Sequence, residues 1–310
     1  MAPRYALSML LSPHSSKPVR LIQADIDHAL IGWESFNRGP DTEGLAETFE
    51  VLDRYQESSI FGLSTARSIP ETKRLAPLLK GFPVDFVAVG GGEQLYINEQ
   101  KLPAEQFLAS LSPEQQDREW AGVVRDEGWD AAKVSSLVKE CLQDKGYQPS
   151  EQFEAPYDSL ENWKNSEAST VSFYPGQAGL HVSGESRGQV RNDLSQELSR
   201  KFDQNAVSFA HNDFEWEELG ASVAWFRPQG VDKEKLLTHL VQRWPSIERV
   251  YTAGDSLSDC IQPDEFAGRA NHRVVAGTKR KVLDAMEGMP RTEFCPSGRI
   301  GSGLQKLIVQ

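Results

Sequence analysis

The chain has 310 residues, 39% of them hydrophobic and 25% charged, with a formal charge of -12, which describes a globular protein with room for two domains and a buried core. So acidic a chain excludes a general binder of nucleic acid or of anionic membrane, because counterion release needs basic surface. No stretch approaches the roughly 18 uninterrupted apolar residues of a membrane span, and the three cysteines, Cys141, Cys260 and Cys295, match no metal pattern.

Residues 1–18 hold Pro and Ser without periodicity and read as a loose leader. Within it, Tyr5 to Ser12 is too short and too poorly flanked for a signal peptide, so a reducing, cytoplasmic location is expected. Val19 to Ala24 has strand character and ends in Asp25-Ile26-Asp27-His28. Ligands of open α/β sheets sit just beyond the carboxyl ends of the strands, and two carboxylates there repel unless a cation holds them. Alone, the pair reads first as an acidic turn, and three later stretches reverse that. Thr42 to Gln56 carries Leu45, Phe49 and Leu52 at helical spacing. Ser59 to Ser64 is the next strand and runs into Thr65-Ala66-Arg67; Ser68 and Glu71 form a capping box opening a helix to about Leu79. Asp85 to Val89 is a third strand, stopped by Gly90-Gly91-Gly92, which reads as a hinge. Strand and helix alternate, the pattern of a parallel, doubly wound, Rossmann-like sheet.

From about Glu93 the texture changes. Residues 98–130 read as polar and irregular, with Trp120 and Trp129, and a helix from Ala131 to Lys145 follows. Strand candidates Thr170 to Tyr174 and Gly179 to Val182, joined by the turn Pro175-Gly176-Gln177, precede a helix over Gly188 to Phe202. Further strands are expected near Ala206 to Phe209 and Ala221 to Phe226. Together these describe a smaller α+β unit with an antiparallel sheet, inserted into the first fold. Alternation resumes with the helix Asp232 to Trp244, whose first turn holds Lys233, a place where the helix dipole disfavours a cation. Arg249 to Ala253 leads into Gly254-Asp255-Ser256-Leu257-Ser258-Asp259, and His272 to Ala276 reads as the last strand. The expected division is 1–97 and 227–310 for the α/β core and 98–226 for the insert. Four carboxylates at the ends of two strands, with Thr65 and Lys233, suit a cation site beside a phosphate site.

The set Asp25 to His28, Ser64 to Ser68, Gly230 to Lys233 and Gly254 to Asp259 resembles the four motifs of the haloacid-dehalogenase superfamily of phosphohydrolases. Within it the chain is similar to the sucrose-6-phosphate phosphatase-like group, which carries an α+β cap between the second and third motifs; Trp120, Trp129 and Ser172-Phe173-Tyr174 match cap features. The resemblance implies a Mg²⁺-dependent phosphatase of a sugar phosphate, a hexose 6-phosphate or a disaccharide phosphate such as sucrose 6-phosphate. Asp25 would be the nucleophile that forms an aspartyl-phosphate, and Asp27 the general acid and base. Thr65 and Lys233 would hold the phosphoryl oxygens. Asp25, Asp255, Asp259 and the backbone carbonyl of Asp27 would hold the metal. Arg67 and His28 would orient the site or touch the sugar. Ala29, Ala66, Ser258 and Gly277-Thr278 depart from the family pattern at positions that bear on substrate identity. Two other readings share the fold: a phosphosugar mutase and a non-catalytic regulator. The expected partner is a small-molecule sugar phosphate, with no nucleic acid and no membrane, and the sequence is silent on oligomeric state.

Overall fold

The computed structural model describes residues 19–32, 41–147, 171–174, 179–216, 220–260, 264–277 and 279–309. The leader over residues 1–18, the turn Pro175-Gly176-Gln177 and Thr278 lie outside these. The chain divides into two compact units, Met1–Asp117 with Asp232–Gln310, and Arg118–Val231.

The first unit is built on a sheet whose order, β10-β11-β9-β1-β2-β3-β4, places β1 (Val19–Ala24) at its centre. β1 runs parallel to β2 (Ser59–Ser64) on one side and to β9 (Ile247–Gly254) on the other. Beyond β2 lies β3 (Val84–Val89), and beyond β9 lies β11 (Arg269–Ala276), both parallel. Two antiparallel edge strands, β4 (Gln94–Ile97) and β10 (Glu265–Phe266), flank this core. Strands buried on both faces read as continuous apolar runs rather than as alternation, which is why every residue of β2 and β3 is buried.

Helix α1 (Thr42–Tyr55) starts where the Asp41 carboxylate accepts from the Gly44 N–H, and its Leu45, Val51 and Leu52 join Ile22, Phe61 and Val274 in one core cluster. Each such side chain contributes about 1.5–3 kcal/mol on burial. α2 (Ile69–Arg74) has the capping box: Ser68 Oγ accepts from the Glu71 N–H and the Glu71 carboxylate accepts from the Ser68 N–H. It is shorter than the sequence suggests, and hydrogen-bonded turns carry the chain on to Phe82.

Other expectations are corrected. Residues 98–117 belong to the first unit, and the stretch read as irregular holds α3 (Ala104–Ser110) and α4 (Arg118–Asp126). α3 buries Ala104, Phe107 and Leu108 in the first unit's core; its roughly two turns are too short to show a period. Trp120 and Trp129 are buried. The strand ending at β11 is not the last, because β12 (Thr292–Cys295) pairs parallel to it, after α8 (Arg280–Met286) and before α9 (Ile300–Val309). The glycine triplet is no hinge: it turns β3 directly into β4.

The second unit has an antiparallel sheet, β5 (Val171–Tyr174), β6 (Gly179–Val182), β8 (Ala221–Pro228) and β7 (Phe209–Trp216), in that order. β7 begins where the sequence suggested an end. Its outer residues His211, Asn212, Asp213 and Glu215 are polar and exposed, so no hydrophobic alternation marks it. α4, α5 (Ala131–Asp144) and α6 (Arg187–Gln204) complete the unit, with Phe202 of α6 packing edge-on against Phe209, Phe226 and Trp129. Cys141, Cys260 and Cys295 are free and buried. Among the described residues no helix is long and apolar enough to cross a membrane.

Candidate active site

The site lies at the carboxyl ends of β1, β2 and β9. β1 hands over to Asp25, whose N–H donates to the Ala253 carbonyl at 2.8 Å and so extends the ladder by one residue. β9 ends at Gly254 and is followed by Asp255 and Asp259, which are 7% and 4% exposed. One carboxylate oxygen from each of Asp25, Asp255 and Asp259 lies within 4.8 Å of the others. Three carboxylates so close need counter-charge.

Lys233 supplies part of it. It occupies the first turn of α7 (Lys233–Arg243), against the dipole, and its Nζ donates to Asp25 Oδ1 at 2.6 Å and to Asp259 Oδ1. Burial alone would push the ammonium pKa down, but the two carboxylates outweigh it and hold it above its usual range. The misplaced helix charge is therefore explained by what it faces. Asp255 is paired with Lys279 Nζ at 2.6 Å, a contact that the sequence reading missed. Lys279 follows a strand end, as the acidic motifs do, but its side chain is 61% exposed and nothing local distinguishes it from a surface lysine.

Asp259 is reached through a glycine. A Cβ on Gly254 would lie 2.0 Å from Asp259 Cβ, so the Gly254-to-Asp259 turn closes only on a bare Cα. The Ser256 N–H donates to Asp259 Oδ2 at 3.1 Å and fixes the carboxylate. Gly254→Ala is expected to open this turn and destabilise the protein by about 3 kcal/mol or more, in the range of severe core overpacking. Urea unfolding measures it; a loss under about 1 kcal/mol would mean that the turn adapts.

The second motif is a rigid loop. Thr65 is fully buried; its Oγ1 accepts from the Arg67 N–H at 3.1 Å, and its N–H donates to the Ala88 carbonyl at 2.9 Å. Gly90 N–H donates to the Arg67 carbonyl and Gly91 N–H to the Thr65 carbonyl, at 2.9 and 2.8 Å. The three glycines have φ of 66°, 70° and 106°, left-handed values that other residues avoid. A Cβ on Gly92 would come within 3.2 Å of the Asp232 carbonyl, just before Lys233. The triplet thus ties the Thr65 loop to the helix that carries the lysine.

Asp27 stands apart from the acidic cluster. Arg67 clasps it in a two-pronged pair, Nε to Oδ2 at 2.8 Å and Nη2 to Oδ1 at 2.7 Å, with the Asp27 side chain 34% exposed. His28 has φ of 60°, an exposed side chain, and a carbonyl that accepts from Gly298 N–H and Ser297 Oγ. Its backbone closes the turn. The structure therefore brings Asp25, Lys233, Asp255 and Asp259 together, places Asp27 with Arg67 beside Asp25, and keeps the Thr65 hydroxyl in its own turn.

Magnesium fits this donor set: carboxylate oxygens are hard ligands, and a few of them with water complete its coordination. Burial, with Asp259 and Asp27 adding repulsion, raises the Asp25 carboxyl to about 7 despite Lys233. The part of that rise that comes from the neighbouring carboxylates is repulsion that a bound cation would relieve.

No protein-family model matches the chain, and no curated protein sequence matches it. Solved structures do. The sucrose-phosphatase of Synechocystis, in complex with sucrose and phosphate, is 14% identical, covers 94% of this chain and 98% of its own, and superimposes with a TM-score of 0.52. The trehalose-6-phosphate phosphatase of Aspergillus fumigatus is 12% identical, covers 99% and 100%, and gives 0.50. The chain has the fold of these phosphatases, the haloacid-dehalogenase fold.

Proposed function

We propose that the protein is a Mg²⁺-dependent phosphatase that hydrolyses a sugar phosphate monoester through an aspartyl-phosphate. The observation that carries this reading is the set of three carboxylates within 4.8 Å at the strand ends, two of them, Asp25 and Asp259, bridged by Lys233. Phosphoryl transfer asks mainly for positioning and for neutralisation of charge spread over the phosphoryl oxygens, and this constellation offers both.

Asp25 is the nucleophile, held by Lys233 in an orientation fixed at one oxygen. Lys233 passes from the Asp25 carboxylate to the phosphoryl oxygens, and Thr65, whose Oγ1 only accepts within its own turn, gives its hydroxyl hydrogen to the same group. Asp255 and Asp259 would hold the metal with Asp25 and the Asp27 carbonyl, and the ion would supply neutralisation of the phosphoryl charge. Asp27 gives a proton to the departing alcohol and takes one from the attacking water. Arg67 holds its carboxylate in place, and must loosen its grip on one oxygen when that oxygen is protonated. The fold supports a phosphatase, as in the two structures above. The choice of sugar falls to residues outside the four motifs, since those groups bind only phosphate and metal. Hexose 6-phosphates and disaccharide phosphates are the first candidates, and the free thiols suit a reducing, cytoplasmic setting.

The test is phosphate release over a panel of sugar phosphates, nucleotides and phosphoserine, with Mg²⁺, with Ca²⁺ and in EDTA. Expected are activity with Mg²⁺ alone and a preference for a sugar phosphate of at least about 10² in kcat/KM over simple esters. Full activity in EDTA would overturn the metal role, and a nucleotide or phosphoserine as best substrate would overturn the sugar. Asp27→Asn is expected to lower single-turnover cleavage of the sugar phosphate about 10²- to 10⁴-fold. It should lower cleavage of p-nitrophenyl phosphate far less, because that leaving group departs without a proton; equal losses would remove Asp27 from the acid role.

A further inference from the structure

At the opposite edge of the same sheet, where the central strands begin, an unusual set of side chains shares one face. Arg20 of β1 lies in register with Ser59 of β2 and with Arg249 of β9, which in turn faces Ala270 of β11. The next row of that face holds Phe61, Ile22, Tyr251 and His272. Arg291 joins them: its carbonyl accepts from the Arg273 N–H and the next residue, Thr292, pairs with Arg273, so Arg291 stands beside His272. Neighbouring strands are only about 4.8 Å apart, and like charges placed directly across a sheet destabilise it.

Nothing described neutralises these guanidinium groups. Arg20 spends one nitrogen on Ser58 Oγ at 2.7 Å and lies 5.7 Å above the Tyr55 ring. Among the described residues none of Arg20, Arg249 and Arg291 has a carboxylate partner, although the chain carries 45 acidic against 33 basic residues. The 18 residues that precede β1 contain no Asp or Glu. Beneath the arginines, four buried polar atoms make no hydrogen bond: Arg20 Nε, Ser59 Oγ, Tyr251 OH and His272 Nδ1. Tyr251 and His272 are 0% and 6% exposed and stack at 4.5 Å. Burial first, then Arg249, Arg291, Arg273 and Arg20, push the His272 pKa down to about 4, so the ring is neutral and can offer Nδ1–H. Guanidinium, hydroxyl and imidazole N–H groups make this end of the sheet rich in donors, and buried donors without acceptors are costly.

We infer that this edge is an oxyanion site that takes a phosphate group, held by Arg20, Arg249 and Arg291 with Tyr251 and His272 as buried donors. A phosphate dianion supplies several acceptor oxygens and the missing counter-charge, and arginine forks match its geometry. The site is separate from the acidic cluster, being at the other end of β1 and β9, and the inference does not depend on the proposed activity.

The experiment is thermal unfolding of the full chain in EDTA, with potassium phosphate, with a hexose 6-phosphate, and with potassium chloride at matched ionic strength. Wild type is compared with Arg249→Gln and Arg291→Gln. Phosphate is expected to raise the wild-type midpoint beyond the chloride control, and each variant should weaken the apparent phosphate affinity at least about tenfold. Without phosphate, Arg249→Gln should melt above the wild type, since it relieves repulsion; with phosphate the order should reverse. A hexose phosphate that acts like inorganic phosphate identifies an esterified ligand, and one that does not identifies the free ion. An undiminished phosphate response in both variants, equal effects of chloride and phosphate, or Arg249→Gln melting below the wild type without phosphate would overturn the site.

Discussion

Asp25→Asn is expected to leave less than about a hundredth of the wild-type turnover, a barrier increase above roughly 2.7 kcal/mol, in a protein that unfolds no more easily than the wild type. An amide cannot attack phosphorus, and Asp27, the nearest carboxylate in sequence, is clasped by Arg67. The stability half of the expectation follows from charge. Burial raises the Asp25 carboxyl from 3.8 to about 7, so the folded protein takes up a proton there that the unfolded chain lacks. Stability from this group is complete below about pH 4 and is lost as pH rises towards 7. In EDTA the Asn variant should lack that decline, which urea unfolding at pH 5 and pH 7.5 measures. Appreciable turnover, or a variant that unfolds more easily at both pH values, would show that Asp25 is structural.

Lys233→Met should do the opposite to stability. The lysine and its two partners are almost fully enclosed, with side-chain exposures of 10%, 12% and 4% for Lys233, Asp25 and Asp259. Removing one member of a buried ion pair leaves uncompensated charge and costs about 3–5 kcal/mol. The loss should be largest in EDTA, should shrink in excess Mg²⁺, and should be partly restored by adding Asp259→Asn. Activity should fall with Mg²⁺ present as well, since the phosphoryl group loses its cationic partner. A variant as stable as the wild type in EDTA would mean that the carboxylates are already neutral, and the charge balance drawn here would fail.

How much of this could be read from the chain depended on the kind of signal. Buried parallel strands announce themselves as apolar runs, so β1, β2, β3, β9 and β11 were visible, and each of the acidic motifs follows such a run. Short or half-polar elements were not. β4, β12 and α3 span only 4, 4 and 7 residues, too few for a period to emerge, and β7 alternates little because much of it is exposed. The site shows the same division. Asp25, Lys233, Asp255 and Asp259 could be named from motif order, but the partnership of Lys279 with Asp255 depends on how a loop folds back. The pairing of Arg20 with Arg249 was invisible for another reason: the register of two parallel strands, remote along the chain, is written in neither of them.

That remoteness has a kinetic consequence. The lysine that neutralises Asp25 is 208 residues further along the chain, and the strand that flanks β1 on its other side comes later still. On the ribosome, β1 can meet β2 early, but its carboxylate has to wait for the whole intervening segment to emerge. At roughly 5–20 residues per second that interval lasts on the order of ten seconds or more. During it one long edge of β1 is an unpaired template for other strands. Because the segment Arg118–Val231 is continuous whereas the sheet unit is not, the order of synthesis favours completion of the insert before completion of the sheet.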